Sequence, residues 1–102
     1  MPSDAPTNSQ VAAVLRELAD LLLKKKESWF KVRAYRKVAD ETEKLPVAVS
    51  VLAAEGRLRE IPGVGAAIEK KLGEIVRTGT LQHVERLRAE MAEGKIGQTA
   101  GE

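Results

Sequence analysis

The chain has 102 residues, a net charge of +2 and no cysteine, which gives one modest hydrophobic core and no room for a second catalytic domain. Without cysteine there is no disulfide framework and no thiolate metal site, as in proteins of a reducing cytoplasm. No apolar run is long enough for a membrane span and no signal-peptide pattern opens the sequence, so a soluble, cytoplasmic protein without a membrane partner is expected.

Residues 1–8, with Pro2, Ser3, Asp4, Pro6, Thr7 and Asn8, read as a mobile leader and 94–102 as a mobile tail, leaving 9–93 as the domain. Apolar residues at helical spacing begin with Val11, Val14, Leu15, Leu18 and Leu22, one face of a helix capped near Asn8 or Ser9 and ending in a lysine run. A second helix, from about Phe30 to Lys44, buries Val32, Tyr35, Val38, Ala39 and Thr42, and turns Arg33, Lys37 and Asp40 to water. Leu45-Pro46 starts a third through about Ala54; Gly56 breaks it before a short helical turn at Arg57 to Glu60. A fifth helix runs from Ala66 to Thr78, ended by Gly79, and a sixth from Thr80 to about Glu93. Period-two alternation is absent, so the fold class is all-α, a small bundle of five to six short helices.

The charge is concentrated. From Lys24 to Lys37 seven basic residues (Lys24, Lys25, Lys26, Lys31, Arg33, Arg36, Lys37) face Glu27 alone, whereas residues 51–102 balance eight basic against eight acidic side chains. A lysine run at a helix end is commonly just solvated, but this one continues into the next segment, the form of an electrostatic footprint for a polyanion. Trp29-Phe30, two of the three aromatics, sit beside Lys31. They suit either a core anchor or a platform on which nucleic-acid bases stack.

The most informative stretch is Ile61-Pro62-Gly63-Val64-Gly65 opening into the helix from Ala66. Pro62 ends the preceding helix, Gly63 and Gly65 permit φ values closed to other residues and close approach of a ligand, and Val64 points into the core. The unpaired first-turn amides beyond Gly65, with the helix macrodipole behind them, suit a phosphate. The spacing fits neither a P-loop nor a dinucleotide fingerprint.

These five residues resemble a helix-hairpin-helix motif, apolar-Pro-Gly-apolar-Gly followed by a helix. The similarity extends through Phe30-Lys31-Val32-Arg33-Ala34-Tyr35-Arg36-Lys37-Val38-Ala39 and Glu74-Ile75-Val76-Arg77-Thr78-Gly79-Thr80. Over roughly residues 8–90 the chain looks like the N-terminal lyase-type domain of family X DNA polymerases, a SAM-like helical bundle. The resemblance implies a DNA-repair module that binds the backbone without reading sequence, at the 5′-phosphate side of gaps or nicks. It implies contacts from Lys31, Arg33, Tyr35, Arg36, Lys37, Gly63, Val64, Gly65, Ala66, Lys70 and His83. It further implies a monovalent cation, Na⁺ or K⁺, on the carbonyls of Arg59, Ile61 and Val64, with no cofactor required. Lys71 falls where lyase-competent members place their Schiff-base lysine. The chain departs from the pattern at Ala67, where another basic ligand is common, at Lys70 in place of an acidic residue, at Phe30 in place of a stacking histidine and at His83 in place of a basic ligand.

The residues themselves put Lys71 at the border of a face made by Ile68, Leu72, Ile75 and Val76, with Lys70 in solvent, a setting that suits an amine nucleophile and is also common for inert lysines. Polymerase activity does not carry over: the only aspartates are Asp4, Asp20 and Asp40, without an Asp-x-Asp pair for two metal ions. The resemblance implies a free-standing module or a piece joined in nature to a polymerase or nuclease domain, and nucleoid association if the source is bacterial. Three functions follow: a DNA-binding module, the same module with 5′-deoxyribose-phosphate lyase activity through Lys71, or an interaction or dimerisation bundle in which the glycine turn is a packing device. Gly63→Ala is expected to unfold the domain or loosen a partner under the last, and to weaken DNA binding with the helices intact under the first.

Overall fold

Five α-helices and one 3-10 turn follow one another along residues 5–93, the part of the chain described by the structure, a computed structural model: α1 (Asn8–Lys24), α2 (Trp29–Lys44), α3 (Val49–Ala54), the 3-10 turn Leu58–Glu60, α4 (Ala66–Thr78) and α5 (Gln82–Ala92). No strand occurs among the described residues, so the all-α class holds. Residues 1–4 of the expected leader and the whole expected tail lie outside the described residues.

The core is aliphatic. Val11, Leu15, Leu18 and Leu22 of α1 interlock with Val32, Val38 and Ala39 of α2, and this pair makes the most extensive helix contact in the molecule. Leu72 and Ile75 of α4, Val84 and Leu87 of α5, and Leu58 and Ile61 before and in the hairpin close the same cluster. Each such side chain contributes on the order of 1.5–3 kcal/mol by leaving water.

The helix ends explain where the sequence expectation is shifted. Thr7, placed in the leader from sequence, is the cap of α1: its hydroxyl accepts from Gln10 N at 3.1 Å and its own amide donates to Gln10 Oε1 at 2.8 Å, a capping box. Asn8 is therefore helical and not a cap. Its carboxamide instead reaches across the bundle, donating to the Val47 carbonyl at 2.9 Å and accepting from Val49 N at 2.7 Å. That contact starts α3 at Val49 instead of Leu45, because Pro46 forces Leu45 into extended backbone and Ala48 has no side chain with which to cap. At the other end of α1, Lys26 adopts φ 65° and the amides of Lys26 and Glu27 return to the carbonyls of Leu23 and Leu22, a Schellman closure that turns the chain toward α2. Ser28 then caps α2 through Phe30 N. Helix α5 begins at Gln82 and not at Thr80, since the Gln82 amide is taken by Glu74 Oε2 at 2.6 Å while Thr80 bonds Glu85 Oε2.

Asn8→Ala removes the side-chain acceptor of the Val49 amide. It is expected to cost about 0.5–2 kcal/mol, the usual range for a lost cap, measured as a lower urea midpoint with unchanged slope.

Candidate functional site

Pro62 and Gly63 form the corner of a type II turn: the Val64 amide donates to the Ile61 carbonyl at 3.1 Å, and Gly63 takes φ 91°. Ile61 and Val64 point inward and are buried, while Pro62, Gly63, Gly65, Ala66 and Ala67 stay exposed. The backbone of the hairpin is thus presented to solvent by two side chains that anchor it from beneath. Gly65 is the cap residue of α4 and no side chain caps the helix. The first helical bond runs from Glu69 N to Gly65 O, so the amides of Ala66, Ala67 and Ile68 have no intrahelical acceptor.

The two glycines have different reasons. Only Gly63 occupies the left-handed region; Gly65 has φ −108°, which any residue adopts, contrary to the sequence expectation for both. A Cβ on Gly63 would stand 3.3 Å from Val38 Cγ2 and 3.8 Å from Lys37 Cδ, whereas a Cβ on Gly65 meets nothing. Gly63 is therefore where α2 touches the hairpin, and it brings the stem of Lys37 alongside the turn.

Through that contact the basic segment reaches the hairpin, but with less free charge than the sequence window suggests. Lys31 and Lys25 share Glu27 at 3.7 and 3.9 Å, Arg36 is drawn back to Asp20 at 3.1 Å, and Lys37 lies 3.7 Å from Glu41. The sequence window omitted Asp20 and Glu41 because one lies on α1 and the other one helical turn further along α2. Arg33 makes no ion pair among the described residues and, with Phe30, Ala34 and Lys37, lines a shallow depression of about 390 Å³. Phe30 is 81% exposed and Trp29 54%, so neither is the core anchor that one sequence reading allowed.

Lys71 stands next to buried Leu72 and is half-buried, with exposed Lys70 beside it. With Ala66, Ala67, Lys70 and Glu74 it lines a depression of about 480 Å³ along α4, held open by the small side chains of the first turn. His83, half-buried on α5, faces the same region: burial first, then the charges of Lys71, Arg86 and Lys25 against Glu27, hold its imidazole below the ordinary histidine range. Tyr35 is a core residue, and burial pushes its phenol above the ordinary range.

The carbonyls of Arg59 and Val64 receive no hydrogen bond among the described residues, and that of Ile61 receives one, from Val64 N. They retain the lone pairs that a hard monovalent cation requires. No group of three or more His, Cys, Asp or Glu side chains is placed to hold a metal among the described residues. No helix of the described residues is long and apolar enough to cross a membrane. What sequence reading missed is the ion pair between Arg59 Nε and Glu69 Oε1, 3.0 Å across the hairpin; ten residues of separation over an irregular turn give no periodic signal.

Residues 6–81 match the family model described as a helix-hairpin-helix domain.

The glycine geometry makes Gly63→Ala a test of folding and leaves Gly65 as the position at which an added methyl group spares the fold. Gly63→Ala, strained at positive φ, is expected to lose about 1–3 kcal/mol of stability in urea unfolding, and Gly65→Ala to unfold at the wild-type midpoint or slightly above it.

Proposed function

The chain belongs to the helix-hairpin-helix domain family, and we propose that it binds the sugar-phosphate backbone of DNA at the 5′-phosphate side of gaps or nicks, as part of DNA repair. Domains of this family generally bind DNA without reading its sequence. The observation that carries the finer reading is the open row of amides at Ala66, Ala67 and Ile68, uncapped by any side chain and flanked by Lys37 and Lys70. A backbone phosphate supplies the missing acceptor and the charge that the helix dipole favours. The likeness of residues 8–90 to the N-terminal domain of family X DNA polymerases supports the choice of a 5′-phosphorylated end. In that role Lys31, Lys71 and His83 would face the terminal phosphate. Arg33 and Lys37 would follow the strand, and exposed Phe30 would offer a stacking face for an unpaired base. Na⁺ or K⁺ would be held by the carbonyls of Arg59, Ile61 and Val64, and would supply a positive bridge to a phosphate oxygen.

A second reading adds lyase chemistry. Its support is the half-buried Lys71 at the wall of the 480 Å³ depression along α4, beside the cations that surround His83. There the amine would condense with the sugar aldehyde to an imine and water. Loss of a C2′ proton would then break the C3′–O bond and leave a 5′-phosphate on the strand.

Fluorescence anisotropy against a 5′-phosphorylated one-nucleotide gap, an intact duplex and a single strand tests the first reading. For about four phosphates neutralised, affinity for the gap is expected to fall about 100-fold between 50 and 200 mM salt, with the gap preferred throughout. Gly65→Ala should weaken it while the fold persists; no binding at low salt leaves the interaction bundle as the account. Borohydride trapping on an incised abasic duplex tests the second: an adduct absent in Lys71→Ala supports it, and no adduct with the unaltered protein rejects it.

A further inference from the structure

We infer that the guanidinium of Arg59 is an additional phosphate ligand of the hairpin, and that Glu69 is the positioning residue that aims it. The inference rests on the hairpin being a phosphate site. Arg59 lies in the 3-10 turn just before the Pro-Gly corner, and Glu69 in the first turn of α4 just after it, so their 3.0 Å contact spans the mouth of the turn.

Which nitrogens are used decides the matter. Arg57 spends Nε and both terminal nitrogens on Glu55 and Glu60, and Arg88 spends all three on Glu17 and Glu85. In those two guanidiniums every nitrogen is already engaged with a carboxylate. Arg59 gives only Nε to Glu69, and neither Nη1 nor Nη2 has a partner among the described residues, in a side chain that is 59% exposed. The planar fork therefore keeps four N–H donors in a geometry suited to bidentate phosphate binding, while its inner edge is fixed.

The carboxylate is equally informative. An acidic side chain in the first turn of a helix gains from the dipole there. Glu69 turns its Oε1 onto Arg59, and the amides of the first turn are left without a side-chain acceptor. One ion pair thus does two things: it neutralises a carboxylate that would repel a phosphate, and it holds a cation beside the open amides. A count of charges along the sequence hides this, since Arg59 and Glu69 cancel in it.

The test uses the full chain with the 5′-phosphorylated gapped duplex, titrated by anisotropy from 50 to 300 mM salt. Arg59→Gln is expected to weaken binding about five- to tenfold and to flatten the slope of log K against log salt by about 0.9, one phosphate contact. Arg59→Lys, with the charge but not the fork, is expected to fall between, and it carries the comparison if Arg59→Gln does not fold. Glu69→Gln and Glu69→Ala remove the same charge, but only glutamine keeps an acceptor for the Nε–H. Glu69→Gln should bind at least as tightly as wild type and Glu69→Ala several-fold more weakly than Glu69→Gln, a difference that vanishes in an Arg59→Gln background. Equal binding by the two Glu69 variants, or a salt slope unchanged in Arg59→Gln, overturns the inference while leaving the hairpin reading in place. Absence of salt-dependent binding by the unaltered protein overturns both.

Discussion

The positive φ of Gly63 is the constraint from which the site follows. It allows the Val64 amide to close on the Ile61 carbonyl, and closure drives both side chains into the core. With Ile61 and Val64 pinned, the start of α4 is fixed relative to α2, because the bare Cα of Gly63 rests against Val38 and the Lys37 stem. A methyl group there would act on three things at once: the turn, the α2 contact and the direction of α4. Gly65 carries none of these constraints. Its small size matters only to something that approaches from solvent, which is why the two glycines separate folding from binding.

Around this rigid frame the electrostatics are arranged in exposed pairs. Arg16 bridges to Asp40 and Glu43 between α1 and α2, Arg36 meets Asp20 across the same interface, and Arg88 meets Glu17 between α5 and α1. These pairs lie at the surface, where each contributes about 0–1 kcal/mol, so they tune the docking of helices that the aliphatic core already holds. The pairs near the hairpin, Lys31 with Glu27, Lys37 with Glu41 and Arg59 with Glu69, are of the same weak kind. They hold cations in place without committing them.

Much of this was legible in the sequence. The apolar faces of α1, α2 and α4 follow a 3.6-residue period, and Pro-Gly-Val-Gly has few conformational solutions, so the helices and the hairpin were readable from Val11, Val38, Leu72 and the turn itself. Boundaries were less so. Thr7 and Asn8 look like leader residues because their partners, Gln10 on one side and Val47 and Val49 on the other, matter only once the chain has folded. The basic patch was overcounted for the same reason: Asp20 is 16 residues from Arg36 in sequence and 3.1 Å from it in space. Trp29 and Phe30 could be assigned to core or surface equally well by composition, and their exposure decides for the surface.

On the proposed reading, the weakness of the ion pairs near the hairpin is what makes them suited to exchange. A phosphate that displaces Glu41 from Lys37, or Glu27 from Lys31, replaces a carboxylate with another anion on an exposed lysine and gains little from the contact itself. The driving force then comes from counterions released from the DNA and from the amides at the start of α4, which have no side-chain acceptor to surrender. Amides fixed by backbone geometry set where the phosphate sits, and exposed lysines set how strongly salt opposes it. A site built this way discriminates by the shape of the backbone it receives and not by the identity of the bases. The geometric part of that discrimination resides in the Pro62–Ala67 segment, whose exposed main chain is held from below by Ile61 and Val64.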